Sequence, residues 1–403
     1  MSDCTERSEG QERMQRQPRM SDCTERSEGQ ERMQRQPRMS DCTERSEGQE
    51  RRRGFTVLSL VVALLAGGTL MSGGTQRKPP PPPGRVAAQR AWPGAQRGTM
   101  PAGLADGPLF QPLLFLDANT ALGTAPSPDA TSVRLLLRRA DGSVRLLRRV
   151  PYDDEVTFDN ATAAGDGIVW TESASGQPCE LWTANLRTGG PVRRLVADAG
   201  NLIAFGTQED LVVAGGRVHW AADPGDSHTT EIRSVALSGG AVRVRAEDGA
   251  WALSRWPWLT SGAETTVLRS MGTGREVVVR ASGSELVTCS PVWCRAMVMN
   301  ETGLARIDLM HPDGSARRTV AGGGAQAPLN DVAVLDRLEV LSEPGPDSDL
   351  TGTAKLLVYD ISTRRTVVVS PSAAGVSFRN GVLWWSTGDQ ETTTWYSLDL
   401  RTV

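Results

Sequence analysis

The sequence predicts an all-β protein: a single β-propeller of seven blades, or six, held behind a disordered N-terminus and one transmembrane helix. Three observations predict it. Strand–turn–strand patterns recur through residues 106–403, with short, mostly glycine-containing turns between the strands. Their turns, with the end of the last strand near residue 402, lie on average 43.5 residues apart, the size of a four-stranded propeller blade. One uncharged apolar stretch, residues 54–75, stands ahead of them, directly behind three arginines.

The N-terminal element is a tandem duplication. MSDCTERSEGQERMQRQPR fills residues 1–19, repeats letter for letter at 20–38, and begins again at Met39 as far as Arg51. Residues 1–53 hold 12 arginines and 12 acidic residues, with no apolar stripe at a period of 2 or 3.6. Such a segment cannot bury enough surface to offset the entropy of ordering it, so a disordered cytoplasmic tail is expected. Letter-perfect repetition points to recent duplication of the DNA, which makes Met20 and Met39 alternative starts. An interaction tail is the functional alternative.

The next element is the apolar one. Gly54–Thr75 is 22 residues without a charge. At about 1.5 Å per residue, roughly 20 residues span a hydrocarbon core of about 30 Å. Arg51, Arg52 and Arg53 keep that end cytoplasmic and send the rest of the chain outside. A retained signal anchor at the cell membrane is the first reading, and a signal peptide cut after Gly74, giving a secreted protein, is the second. Arg52-Arg53-Gly54-Phe55 also resembles a twin-arginine export motif. Residues 76–105 follow as a linker opened by Pro79–Pro83, a stiff polyproline spacer suited to lifting a domain off a bilayer.

Charge narrows the partners of the body. Of 44 basic and 47 acidic residues, 12 of each lie in 1–53, and five basic and no acidic ones lie in 54–105. That leaves 27 basic against 35 acidic residues in 106–403. A mildly acidic body is not a nucleic-acid platform, which needs a basic face. Only Lys78 and Lys355 are lysines, against 42 arginines. This composition suggests a high-GC bacterial genome, with an actinobacterium the expectation, so no arginine counts as functional merely for being arginine.

Six hairpins are expected along the body. They join 133–139 to 143–150, 181–186 to 192–196, 232–237 to 241–244, 267–271 to 277–279, 307–310 to 316–320, and 356–361 to 366–369. The turns carry Asp141-Gly142, Gly189-Gly190, Gly239-Gly240, Gly274, Asp313-Gly314 and Thr363-Arg364; Asp-Gly and Gly-Gly supply the positive φ of tight turns. Trp395–Leu400 is a further strand standing alone. A second signal keeps register: Trp170, Trp220 and Trp384 each end a short run that begins at a glycine, and twelve residues on stand Trp182, Ile232 and Tyr396. Ring closure is expected from a segment within Leu109–Leu122 pairing with the terminal blade.

LWTANLRTGGPVRRLV at 181–196 resembles the outer hairpin of TolB-like propeller repeats, and HPDGSARRTV at 311–320 is similar at its turn. Ser127-Pro128-Asp129 resembles that family's Ser-Pro-Asp-Gly signature without the glycine. The Gly-His and Trp-Asp dipeptides of the related WD40 repeats are absent. The resemblance implies an extracytoplasmic protein-binding platform and carries no catalytic residues with it.

Candidate chemistry is sparse. His219, His228 and His311 share no metal-ligand spacing and read as surface or turn residues. Asp153, Asp154, Glu155 and Asp159 follow no EF-hand order and read as a solvated loop. No Gly-x-Ser-x-Gly elbow or phosphate loop occurs. No catalytic residue, metal or cofactor is therefore assigned. Cys289 and Cys294 are expected to form a disulfide outside the cell, with Cys179 apart from them. Trp251, Trp256 and Trp258 are the candidate ligand-contact aromatics, against the alternative that they pack between blades. The functional expectation is a membrane-anchored binding or scaffold module for a protein or cell-envelope ligand, with no nucleic acid. The alternatives are an exported hydrolase or lyase, for which carboxylates or histidines would have to converge at the propeller axis, and the product of a decaying gene.

Overall fold

A computed structural model describes residues 85–403, apart from 226–227, 262–264 and 390. The tandem repeats, the apolar segment 54–75 and the proline run lie outside the described residues. Among the described residues no helix is long and apolar enough to cross a membrane. The α-helices there, Ala88–Ala91 and Ser348–Thr351, are single turns, and nearly everything else that is regular is strand.

All six expected hairpins form, with ends shifted by one to a few residues. Ser132–Arg139 pairs with Val144–Pro151, and Glu180–Asn185 with Arg193–Val196. Thr229–Ala236 pairs with Arg243–Asp248, and Val267–Ser270 with Glu276–Val278. Gly303–Met310 pairs with Arg318–Gly322, and Ala354–Asp360 with the start of Arg365–Arg379. Turn chemistry explains their places. Gly142 holds φ at 87°, whereas at the turn without glycine Arg364 itself adopts φ 56°. The residues twelve on from each recurring tryptophan lie on the strand paired to it: Trp182 faces Trp170, while Ile232 faces Ala221 and Tyr396 faces Trp385.

Each hairpin gains inner strands to make a consecutive antiparallel sheet. Residues 111–151, 157–196, 252–278 and 285–322 each form a four-stranded one. In the third sheet, 201–248, the innermost position is split between Asn201–Leu202 and Val212–Ala214, both paired to Arg217–Asp223. The remaining sheet has seven strands because the 15-residue strand Arg365–Arg379 serves twice. Its first part pairs with Ala354–Asp360 and its last part with Val382–Thr387, with register shifts in each pairing.

The N-terminal chain supplies this sheet's missing edges. Arg97–Pro101 runs antiparallel to Thr394–Asp399, and Val86–Ala87 runs parallel to Val367–Val368. This corrects two expectations. Residues 85–105 belong to the folded body rather than to the linker, and the closing strand is Arg97–Pro101, not a part of Leu109–Leu122. Gln111–Asp117 instead begins the first sheet, paired with Thr120–Pro126. The closing strand fits closely: a β-carbon added at Gly98 would lie 1.7 Å from the Ala118 carbonyl oxygen.

Hydrophobic clusters seal each sheet to its neighbour. Leu122 and Leu135 meet Ile168 and Trp170, Leu181 meets Val218 and Trp220, and Ile232 meets Trp251 and Leu259. Leu268 meets Cys294 and Ala296, and Ile307 meets Leu341 and Leu357. Within the seven-stranded sheet, Leu356 clusters with Phe378 and Leu383. One more cluster joins Val382, Trp384 and Trp395 to Phe115, Ala121 and Leu136, so the last sheet returns to the first. Full burial of one such side chain stabilises by about 1.5–3 kcal/mol, which makes the intersheet seams the main source of cohesion. Successive antiparallel sheets closed by an N-terminal strand are the architecture of a β-propeller.

Candidate functional site

The split inner strand of the third sheet releases a loop, residues 203–211, that reaches the far end of the chain. Asn330 Nδ2 donates to the Phe205 carbonyl at 2.6 Å, Gln208 N to Asp331 Oδ1 at 3.3 Å, and Arg379 Nη1 to the Thr207 carbonyl at 2.8 Å. Asp210 folds the loop on itself, accepting from the Phe205 and Thr207 amides at 3.0 Å and from the Thr207 hydroxyl at 2.9 Å. A buried ion pair holds the segment 329–333 that this loop meets. Arg295 lies 2.9 Å from Glu339 and donates to the carbonyls of Leu329 and Asp331, while Glu339 accepts from the Ala333 amide at 2.7 Å.

Leu114, Thr162, Gln208, Glu209, Arg379 and Asn380 line a cavity of about 180 Å³ beside this loop. Burial pushes the Glu209 carboxyl up to about 7, with Asp331 and Asp210 adding repulsion and Arg255 opposing it. Asp331 is raised to about 6, again mainly by burial, and Asp210 is raised for the same reason. The Gln208 amide and Arg379 oppose the shift at Asp331, and hydrogen bonds and Arg379 oppose it at Asp210. A carboxyl that titrates near neutrality can exchange a proton under ordinary conditions. The sequence did not show three carboxylates converging, because Gln208-Glu209-Asp210 reads as a polar loop and Asp331 lies more than a hundred residues away. The one signal available was that polar run between two apolar strands. Among the described residues no group of three or more His, Cys, Asp or Glu is placed to hold a metal ion.

The three candidate tryptophans are dispersed. Trp251 is 5% exposed in the seam between the third and fourth sheets, donating to the Asp248 carbonyl at 2.7 Å, with the Arg269 guanidinium 4.3 Å from its ring. Trp258 packs on the next seam, toward Val277 and Val287. Trp256 alone lines a concavity, a cleft of about 270 Å³ shared with His219, Ile232, Arg243, Arg245 and Met271. Its ring lies 3.7 Å from the His219 imidazole, centroid to centroid. His219 corrects the expectation of a surface histidine, since it is 8% exposed within the strand Arg217–Asp223. Burial lowers its pKa, with Arg217 adding to the effect, so the imidazole is neutral at physiological pH.

The other candidates sit apart. His311 stacks on Trp293 at 4.2 Å and contacts the Val292 carbonyl through Nδ1 at 2.9 Å. His228 precedes the strand Thr229–Ala236, its carbonyl accepting from Gly249 N. Asp153 and Asp154 lie in an exposed 3-10 turn that Glu155 ends, and Asp159 accepts from the Thr157 hydroxyl. Cys289 and Cys294 face each other across a hairpin with Cα atoms 4.0 Å apart and sulfurs joined, and Cys179 is buried beside Ser173.

These sheets and their closure define the chain as a β-propeller. No family model matches it, and no curated protein does. Among solved structures it is similar to a prolyl endopeptidase, at 14% identity and a TM-score of 0.45, over 68% of this chain and 45% of that one. The chain thus spans less than half the length of that enzyme. It is similar also to the propeller domain of the Trilobed protease from Pyrococcus furiosus, at 9% identity and a TM-score of 0.45, over 70% and 89% of the two chains. A third similar structure is an uncharacterized protein of Listeria monocytogenes EGD-e, at 9% identity and a TM-score of 0.46, over 68% and 88%.

Proposed function

We propose that this chain is a membrane-tethered, extracytoplasmic β-propeller of seven blades, related to TolB-like repeats, that binds a protein or cell-envelope ligand. The reading of seven blades is supported by dividing the long strand Arg365–Arg379 between two sheets, each completed by N-terminal chain. The tether rests on the apolar stretch 54–75 behind Arg51–Arg53, and the proline run beyond it serves as a stalk.

The observation that carries the binding role is the Trp256 cleft, a concavity with an aromatic wall and arginines at its rim. Asp210 and Asp331, by contrast, are occupied in holding the loop 203–211. A second reading, an exported hydrolase or lyase, draws on one observation: Glu209 faces a cavity and titrates at about 7.

Cross-linking in cells followed by mass spectrometry is the test. A partner linked at residues around Trp256 and lost in Trp256→Ala is expected, and links scattered without regard to that cleft would sink the binding role. A reporter fused after Val403 is expected to work only outside the cytoplasm. Membranes washed with carbonate should retain the protein, whereas a mature form starting near Thr75 in the medium would decide for secretion.

A further inference from the structure

We infer that the cleft between the third and fourth sheets takes a carboxylate carried on a small apolar or aromatic group, with Arg243 meeting the carboxylate and Trp256 and Met271 meeting the apolar body. This deepens the binding role proposed above and rests on it.

The cleft's charge comes from two arginines on one strand. Arg243 and Arg245 lie two residues apart on Arg243–Asp248, hence on one face of it, opposite Ser234 and Ile232. Arg245 is committed elsewhere, paired with Glu247 at 2.5 Å and donating to the Met271 carbonyl at 3.2 Å. Glu247 is shared in turn with Arg269 at 3.3 Å. The Arg243 side chain makes no hydrogen bond or ion pair among the described residues, although it lines the same cleft. Its planar guanidinium offers two parallel donors, the geometry that matches one carboxylate.

The remaining walls fit the rest of such a ligand. Trp256, Pro257, Ile232 and Met271 supply apolar surface. His219 is kept neutral by burial and adds no charge to the cleft. At about 270 Å³ the space falls just below the roughly 300–1,000 Å³ of sites for drug-sized molecules, which suits a single side-chain-sized group. A cationic ligand of the same shape meets two guanidinium groups and is disfavoured. A phosphate would call for more donors than one unoccupied arginine provides.

The test uses the full-length chain in detergent and three probes of one shape: 3-phenylpropionate, 3-phenylpropan-1-ol and 3-phenylpropylamine. Dissociation constants come from ligand-observed NMR at low salt. The acid is expected to bind about threefold to fivefold more tightly than the alcohol, the upper part of the range for an exposed ion pair, with the amine weakest. Arg243→Gln should bring the acid to the level of the alcohol, and Arg243→Lys should keep part of the preference. Because Arg243 is exposed, these variants are expected to fold as the wild type does. Equal binding of acid and amine, no change in Arg243→Gln, or no binding of the acid each overturns the inference. If the cellular partner is still captured at Trp256 in any of those cases, the binding role stands and only the ligand class falls.

Discussion

The indole N–H of Trp395 donates to the backbone carbonyl of Phe110 at 2.9 Å, across 285 residues of chain. Around it Ser397 Oγ donates to the Ala118 carbonyl at 2.6 Å, and Arg401 Nη2 to the Leu116 carbonyl at 2.9 Å. Together with the strand Arg97–Pro101, these bonds close the ring where an open sheet edge would otherwise expose unpaired backbone groups. Deleting residues 395–403 is therefore expected to destabilise the whole domain cooperatively, not merely to fray one sheet. Trp395→Ala should cost about 3–5 kcal/mol, the range for emptying a buried aromatic site. A truncated chain that melts at the wild-type temperature would show that closure does not depend on this seam.

Much of the fold was legible because the signals for hairpins are local. Asp141-Gly142 and Asp313-Gly314 mark turns whose two strands lie within a dozen residues, so alternation and turn chemistry suffice. The closing strand has no such signal. Arg97–Pro101 carries one large apolar residue, Met100, and its partner stands nearly 300 residues away. The short inner strands, Ala252–Leu253 and Val212–Ala214, are too brief for any period to register. At the candidate sites, WALSRWPW could be seen as an aromatic cluster, but not that Trp251 turns into a seam while Trp256 lines a cleft. Face assignment there depends on the neighbouring sheet. The convergence of Glu209, Asp210 and Asp331 depends on a loop bridging distant parts of the ring, which spacing along the chain does not encode.

The Arg295–Glu339 pair is the strongest candidate for a single fragile point. Their side chains are 5% and 0% exposed, and both also hold backbone groups of residues 329–333. Removing one partner leaves the other charge buried without its counterion, which costs about 3–5 kcal/mol. Glu339→Ala should therefore lower the urea midpoint by that equivalent. A midpoint within experimental scatter of the wild type would mean that water or a nearby group compensates.

The Cys289–Cys294 bridge closes a short loop, its two cysteines five positions apart in sequence. Loop-closure entropy gives so short a link only about 2 kcal/mol. Exported protein digested without reductant should yield the two cysteines in one linked peptide, and reduction should lower the melting temperature modestly. Two free thiols in exported protein would remove both the bridge and one support for an extracytoplasmic address.

The last expectation concerns pH, and its sign follows from the loop 203–211. Glu209 rises from 4.5 to about 7 on folding and Asp331 from 3.8 to about 6, both chiefly through burial. Groups raised in this way hold their protons more tightly when folded, so their stabilising effect is complete below about pH 4. It is lost as pH rises through 6 and 7. Nine carboxyls among the described residues act in the opposite sense, and three of them are lowered furthest. Asp129 is held at about 2 mainly by the Ser127 hydroxyl, and Glu343 at about 2 mainly by Arg85. Asp360 also lies at about 2, where Arg337 and Ser362 overcome the effect of burial. Their stabilisation is present above their unfolded values near 4 and fades only as pH falls toward 2. Stability should therefore peak near pH 4–5 and decline toward pH 7.5, with Glu209 contributing on the order of 2 kcal/mol. Glu209→Gln fixes a neutral group facing Asp210, Asp331, Arg255 and Arg379, so it should flatten that decline and match or exceed the wild type at pH 7.5. Urea melts at pH 5, 6, 7 and 8 on both proteins measure the two slopes. Equal slopes would mean that the Glu209 carboxyl is solvated in the native protein, and the proton exchange assigned to it would have to be given up.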